Sequence, residues 1–328
     1  MEHYLNFKPL IKSPYCQTIL GTSLNFDWEI PSRTHYVRLK DGDSLALEIS
    51  TPKNWKGDSW TIFLVHGLCG SHKSHYMKRI AKKLNKIGYQ AVRINLRNCG
   101  SGRGLSKGIY HSGSSDDVYE AILDVSKHFP NSKKGLMGFS LGGNIALKLL
   151  GELGSNAPGI IDQVIAVGAP VDLLSSARMF MLPKNQIYAK YFLRMLMSQI
   201  NFIHSHFKDL PPHNLPDDIT ITDFDELYVA PRAKFASALD YYYYCSSKRV
   251  LKNIVVPTKI LFAEDDPIIN SKVLNGMKLP QNIQIYKTQH GGHIGFMGQN
   301  IFRDFRWMDN QVVQWAQEHA QIIKGKPS

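Results

Sequence analysis

The chain has 328 residues, 43% of them apolar and 20% charged, proportions that exclude a disordered or fibrous protein and fit a soluble globular one. Its net charge of +12 is scattered over single residues and short pairs such as Lys82-Lys83, Lys133-Lys134 and Lys248-Arg249. A nucleic-acid binder would gather such charge on one helix face or in one tract, so that class is set aside.

The N-terminal 30 residues are mixed and aromatic, interrupted by Pro9 and Pro14, with Pro31 just beyond. Two alternating runs, His35 to Leu39 and Ser44 to Ser50, flank Asp41-Gly42, a strong hairpin signal. Thr61 to Val65 is a continuous apolar run ending at His66-Gly67, the pattern of a buried parallel strand. Tyr76 to Ile87 has helical spacing and stops at Gly88. Gln90 to Leu96 reads as the next strand, and Asp116 or Asp117 as the cap of a helix running to about Phe129. Strand 135–139, helix 143–153 and strand 163–167 follow.

The rhythm then breaks. From about Asp172 to Arg249 the chain shows Met-rich and aromatic helical patches, the pair Pro211-Pro212 and no clear strand. It resumes with strands 258–263 and 283–286 and a terminal amphipathic helix from about Phe305 to Ile322. Strands alternating with helices predict an α/β fold with a mostly parallel central sheet flanked by helices. Residues 1–172 and 250–328 then form one discontinuous core, and residues 173–249 a helical cap inserted into it.

Chemistry concentrates in three places. Gly138-Phe139-Ser140-Leu141-Gly142 fits Gly-x-Ser-x-Gly, a pattern that arises by chance in a chain with 25 glycines. Here a strand precedes it and a helix follows, the context of a strained turn that lifts a serine hydroxyl clear of a sheet. An alcohol is a poor nucleophile near neutral pH and needs a base, which in turn needs an orienting acid. In the α/β-hydrolase fold these follow in the order serine, acid, histidine. Asp266, in Ala263-Glu264-Asp265-Asp266-Pro267, and His293, in Gly291-Gly292-His293, each come just after a strand, where open α/β sheets place their sites. The expected catalytic residues are therefore Ser140, Asp266 and His293, with the backbone amides of Leu141 and Leu68 as oxyanion donors.

Rival residues have plainer readings. Asp265 reads as a turn or helix cap, and His290 lies in the same loop as His293. His66 reads as a hydrogen-bonding residue within its own loop. His204, His206 and His213 lack a carboxylate or cysteine at ligand spacing and read as a solvated loop, so no metal is expected. His111 to Asp116 matches the loose His-x₄-Asp pattern of some acyltransferases and reads first as a helix cap. Tyr241 to Tyr244 stand on consecutive helical positions and point all ways, so pocket lining and cap packing stay open. The four cysteines, Cys16, Cys69, Cys99 and Cys245, have no CxxC spacing, which fits a reducing compartment. No stretch approaches the roughly 18 uninterrupted apolar residues of a membrane span, and Met1-Glu2-His3-Tyr4 does not resemble a signal peptide. A cytoplasmic protein is expected, with peripheral contact to anionic lipid as the sharper reading of its basic surface.

With these residues in view, the chain resembles the YheT-type branch of the α/β-hydrolases, abhydrolase family four. The likeness is carried by Gln17-Thr18, His66-Gly67-Leu68-x-Gly70, Asn95-Leu96-Arg97 and Tyr110-His111-x-Gly113. It continues through the Ser140 turn to Asn144, Tyr242-Tyr243 near Ser246, Asp265-Asp266-Pro267, and Gly291-Gly292-His293-x-Gly295-Phe296. The family's triad maps onto Ser140, Asp266 and His293. Two departures stand out: Tyr15 where the family tends to have histidine, and Arg97-Asn98-Cys99 where it has Arg-Gly-Cys. The resemblance implies a carboxylester hydrolase acting on a small-molecule acyl ester of short to medium chain, without a cofactor. An acyltransferase or thioesterase using the same residues is the alternative, and a non-catalytic binding protein on this scaffold a third.

Overall fold

The computed structural model describes residues 2–23, 29–299 and 305–324. Nine strands form one sheet: β1 (Glu2–Tyr4), β2 (Arg33–Arg38), β3 (Ser44–Ser50), β4 (Thr61–Val65), β5 (Gln90–Ile94), β6 (Lys134–Phe139), β7 (Gln163–Val167), β8 (Thr258–Ala263) and β9 (Ile283–Thr288). Their spatial order is β1-β9-β8-β7-β6-β4-β5-β3-β2. The Asp41-Gly42 turn joins β2 and β3 as an antiparallel hairpin, β3 pairs antiparallel with β5, and every other pairing is parallel.

The continuous apolar strands are explained by two covered faces. In β4, Phe63 and Val65 point to one core while Ile62 and Leu64 point to the other, the period of two that a pleated strand imposes. In β6, Leu136 joins the first core, and Met137 and Phe139 the second. Helices α3 (Ser115–His128) and α4 (Leu141–Leu153) cover the first face, and α2 (His75–Lys86) and α10 (Trp307–Lys324) the second. Each fully buried Ile, Leu or Phe adds roughly 1.5–3 kcal/mol of transfer free energy, so the sheet's location in the chain follows from its pattern.

Two segments depart from the sequence reading. The first thirty residues, read as mixed, aromatic and broken by prolines, contain β1, which extends the sheet beside β9, and helix α1 (Pro14–Ser23). Asp117, one of the two expected helix caps, instead takes a bidentate pair of bonds from Arg97, both 2.7 Å. Arg97 also holds Asp41 and Asp43 of the hairpin, so a half-buried cation outcompeted the backbone amides for that carboxylate.

Between β7 and β8 lie only helices: α5 (Leu173–Met181), α6 (Gln186–His206), α7 (Ile221–Phe224), a π-helical stretch Asp225–Val229 leading into α8 (Ala230–Arg232), and α9 (Ala238–Cys245). They share a core of their own that includes Leu173, Ile200, Phe224, Tyr228, Tyr241 and Tyr242. The segment leaves and returns at one point, where Lys248 Nζ lies 3.0 Å from Asp172 and the Leu173 amide donates to Ser246 Oγ at 3.0 Å.

Candidate active site

Ser140 sits between β6 and α4 with φ +52° and ψ −125°, a strained conformation for any residue with a side chain. The two flanking glycines are dictated by contact. A Cβ on Gly138 would stand 2.2 Å from the Gly142 carbonyl oxygen, and one on Gly142 would stand 2.3 Å from that of Val65. No other residue fits either place, and the strain is held by the backbone around it.

Ser140 Oγ lies 2.8 Å from Nε2 of His293, and His293 Nδ1 lies 2.8 Å from Oδ2 of Asp266. A carboxylate accepts, so Nδ1 carries the proton and Nε2 is left to accept from the serine hydroxyl. The other oxygen of Asp266 accepts the amides of Ile268 and Ile269 at 2.8 and 2.9 Å, which fixes the carboxylate plane. Asp266 and His293 are both buried.

The same loops hold a second histidine–aspartate pair. His290 Nδ1 lies 3.1 Å from Asp265, and Asp265 also accepts the Gly292 amide at 2.9 Å. Asp265 is thus neither a turn cap nor a helix cap. It ties the end of β8 to the loop after β9 and so frames the segment that carries His293. Desolvation raises its carboxyl, while the Gly292 amide and His290 oppose that rise.

Residues that sequence reasoning left without a role complete the frame. Thr18 Oγ1 accepts the His293 amide at 2.9 Å, and Gln17 binds both the amide and the carbonyl of Met297. Helix α1 lies directly on this loop: a Cβ on Gly292 would stand 2.5 Å from the Pro14 carbonyl, and one on Gly295 would stand 2.2 Å from that of Gln17. The Gln17-Thr18 pair was visible in the sequence, but a contact spanning some 275 residues leaves no periodic trace. Tyr15, the departure from the family pattern, stacks on Tyr188 at 6.1 Å. Asn98, the other departure, has φ +59°, a left-handed position that asparagine tolerates in place of glycine. Its side chain closes the turn by donating to the Ser106 and Gly108 carbonyls and accepting the Gly104 amide.

Leu68 and Leu141, whose amides were expected as oxyanion donors, line the same cavity as Ser140. Leu141 opens α4, whose N-terminus favours negative charge. In the loop after β4 the Gly67 amide donates to Tyr76 Oη at 3.0 Å and the Cys69 amide to Tyr110 Oη at 2.8 Å. These bonds pin the loop on either side of Leu68. Among the described residues the Leu68 and Leu141 amides have no hydrogen-bond acceptor. A Cβ on Gly67 would lie 3.0 Å from that of Ser140, so glycine lets this loop press against the serine. His66 bonds within its loop through Nδ1, 2.7 Å from the Gly67 carbonyl, and outside it through Nε2, which accepts the Leu96 amide just past β5; burial lowers it to about 4 and keeps it neutral.

A cavity of about 120 Å³ opens on Ser140 and His293. The core contributes Leu68, Tyr110, His111, Leu141, Ile268 and Ile269 to its wall, and the helical segment contributes residues of α5 to α9. Of the four consecutive tyrosines, Tyr241 and Tyr242 line the cavity, whereas Tyr243 and Tyr244 are exposed, with the Arg249 guanidinium 3.8 Å above the Tyr243 ring. His111, read as part of a helix cap, lies in the cavity wall, and the α3 start has no side-chain cap. Asn144 joins core and helices by donating to the Ser112 and Cys245 carbonyls and accepting the Ser247 amide. His204 pairs with Tyr228 and His213 with Asn201, so they do not form a ligand set. Among the described residues the group with metal-ligand spacing is His35, Asp124 and His128 at the β2 edge, apart from the cavity wall.

Comparison with known proteins agrees with this architecture. A family model described as the alpha/beta hydrolase fold matches residues 61–201. The chain is 29% identical over 289 residues to the provisionally named esterase YheT of Escherichia coli (strain K12), a match covering 87% of this chain and 84% of that protein. It is 28% identical over 278 residues to monoacylglycerol lipase of Saccharomyces cerevisiae, covering 80% of this chain and 61% of the lipase. Among solved structures, the Pyrococcus furiosus esterase Pf2001 is similar with a TM-score of 0.57 over 90% of this chain and 96% of its own, at 15% identity, a likeness of fold.

Proposed function

We propose that the chain is a member of the YheT-type branch of the α/β-hydrolases and a serine carboxylester hydrolase working through an acyl-enzyme. The observation that carries this reading is the 2.8 Å approach of His293 Nε2 to Ser140 Oγ, with Asp266 behind the imidazole. In this mechanism Ser140 attacks the ester carbonyl as its proton passes to His293, and Asp266 stabilises the imidazolium. The Leu141 and Leu68 amides receive the oxyanion, each such donor being worth about 10²–10³ in rate. His293 then protonates the departing alcohol and activates a water molecule that cleaves the acyl-enzyme. Each of these steps uses the chain's own groups.

The substrate class we assign is a small-molecule ester of short to medium chain. The mainly apolar wall and the cavity volume of about 120 Å³ support it. That volume is somewhat below the roughly 150 Å³ that admits a benzene ring. The names of the similar proteins, an esterase and a monoacylglycerol lipase, point to ester cleavage as well. All four cysteines are free, which favours a reducing, cytoplasmic setting. Among the described residues no helix is long and apolar enough to cross a membrane.

A chain-length series of p-nitrophenyl esters, run on wild type and Ser140→Ala, tests the proposal. The expected result is a rate maximum at short to medium chains that Ser140→Ala abolishes. Equal activity of the two proteins would overturn it. Added alcohol separates hydrolysis from transfer: a new ester formed in preference to free acid would make the protein an acyltransferase.

A further inference from the structure

The cavity beside Ser140 contains a feature that ester hydrolysis does not use. Among its lining residues Asp225 is the one carboxylate, set beside Ile221, Phe224 and Val229 in a mainly apolar wall. Asp225 opens the π-helical stretch Asp225–Val229, a local widening of the helix that is frequent at functional positions. One of its oxygens, Oδ2, accepts the Tyr242 hydroxyl at 2.7 Å. The other, Oδ1, accepts no hydrogen bond from any described residue. Asp225 is half-buried, so Oδ1 is accessible, while the protein around the carboxyl desolvates it and pushes it up to about 7. The fold therefore sets a carboxylate in the wall of a mainly apolar cavity and supplies it with one donor, which leaves Oδ1 for a ligand.

A second group complements it. His111 lies in the same wall and accepts the Gly113 amide on Nδ1 at 3.1 Å, which leaves the proton on Nε2. Desolvation and the nearby Lys148 and Arg97 lower this imidazole to about 4, so it is neutral. Nε2 donates to no described residue. An acceptor and a neutral donor in one cavity match a hydroxyl group, which donates and accepts at once.

We propose that Asp225 is a specificity-determining residue whose Oδ1 receives a hydroxyl group of the substrate, so that this hydrolase prefers esters bearing a hydroxyl over those of the same size without one. The inference rests on the reading of Ser140 as nucleophile, because that reading makes the cavity the substrate pocket. The hydroxyl belongs to either the acyl or the alcohol half of the ester, and the two halves are tested separately.

The measurement is kcat/KM for two near-isosteric pairs. For the acyl half these are p-nitrophenyl 3-hydroxybutyrate and p-nitrophenyl 3-methylbutyrate. For the alcohol half they are 2-hydroxyethyl butyrate and propyl butyrate. Wild type should favour the hydroxyl-bearing member of one pair by about tenfold to a hundredfold, the range for a hydrogen bond to a charged group. Asp225→Leu should bring that ratio to one or below. Asp225→Asn, which keeps an acceptor oxygen and the side-chain shape, should retain part of it and serves where the leucine variant does not fold. Taking the ratio within one protein cancels any loss common to both esters. Ratios within about twofold for both pairs in wild type, or a preference unchanged in both variants, would overturn the proposal. A fluorophosphonate probe separates the two failures: if Ser140 is not labelled, the hydrolase reading falls and the inference falls with it. If Ser140 is labelled and the ratios are flat, only the role of Asp225 is lost.

Discussion

At the rim of the sheet, around Ser140 and His293, position is set by backbone lying against backbone; in the helices between β7 and β8 it is set by aromatic side chains with polar tips. Gly138 meets Gly142, Gly142 meets Val65, and Gly292 and Gly295 meet α1, all with no room for a methyl group. In the helical segment Tyr241 donates to Ser112 Oγ at 2.8 Å, Tyr242 to Asp225, and Tyr228 pairs with His204. Backbone contacts cannot be re-cut one residue at a time, whereas a packed side chain can be exchanged while the main chain stays in place. A change at the rim should therefore reduce turnover of every ester, and a change in the helices should alter which ester is favoured.

The largest effect expected is that of Ser140→Ala. Removal of the proposed nucleophile should lower kcat by about 10⁴- to 10⁶-fold, and His293→Ala by a similar amount. The double variant should be no worse than either single one, since the two groups act as a unit. The loss should be equal across the p-nitrophenyl ester series. A loss confined to one chain length would break the contrast between the two regions.

Gly292→Ala should come next. The new methyl would stand 2.5 Å from the Pro14 carbonyl, at a φ of +57° that side chains resist. Helix α1 must withdraw, and the His293 amide then separates from Thr18. A displacement of about 1 Å at a reacting group costs on the order of 10²-fold. The signature is a fall in kcat with KM little changed, again for all esters.

The sheet and the order of the three site residues were legible because both are local patterns. Apolar runs with a period of two mark strands, and Gly-x-Ser-x-Gly, Asp-Asp-Pro and Gly-Gly-His each stand just past one. What escaped was contact between distant segments. Nothing near Thr18 shows that its hydroxyl will meet an amide beyond β9, and nothing near Asp117 shows that Arg97 will claim it. Asp225 escaped for another reason. In Asp223-Phe224-Asp225-Glu226 it reads as one of several surface acids, and its place at the start of a π-helical stretch in the cavity wall leaves no mark in the sequence. Gly113 was legible as a motif residue without a cause; a Cβ there would stand 2.3 Å from Cys245 Sγ, where α9 returns to the core.

Asn144→Ala tests where the two regions join. Its side chain is fully buried and bonded to Ser112, Cys245 and Ser247. Truncation leaves buried groups unsatisfied, at about 1–3 kcal/mol each. A melting temperature lower by several degrees is expected, together with a KM that rises more than kcat falls, because α9 loosens while the rim remains. A fall in kcat alone would show that the helices also position the catalytic groups.

The smallest effect concerns Asp225 and pH. Its carboxyl titrates near 3.8 when unfolded and is raised to about 7 in the folded chain by desolvation, partly offset by the Tyr242 hydroxyl. Between these values the folded state holds a proton that the unfolded state has released. The stability this contributes is complete below about pH 4 and is lost as pH rises toward 7. Asp225→Asn cannot lose it. The difference in melting temperature between the variant and wild type should therefore grow from pH 4 to pH 7 in the variant's favour, by a few degrees, and level off above. A difference independent of pH would mean that this carboxyl is solvated in the folded chain. The helical segment would then lack the desolvated carboxyl that sets it apart from the rim.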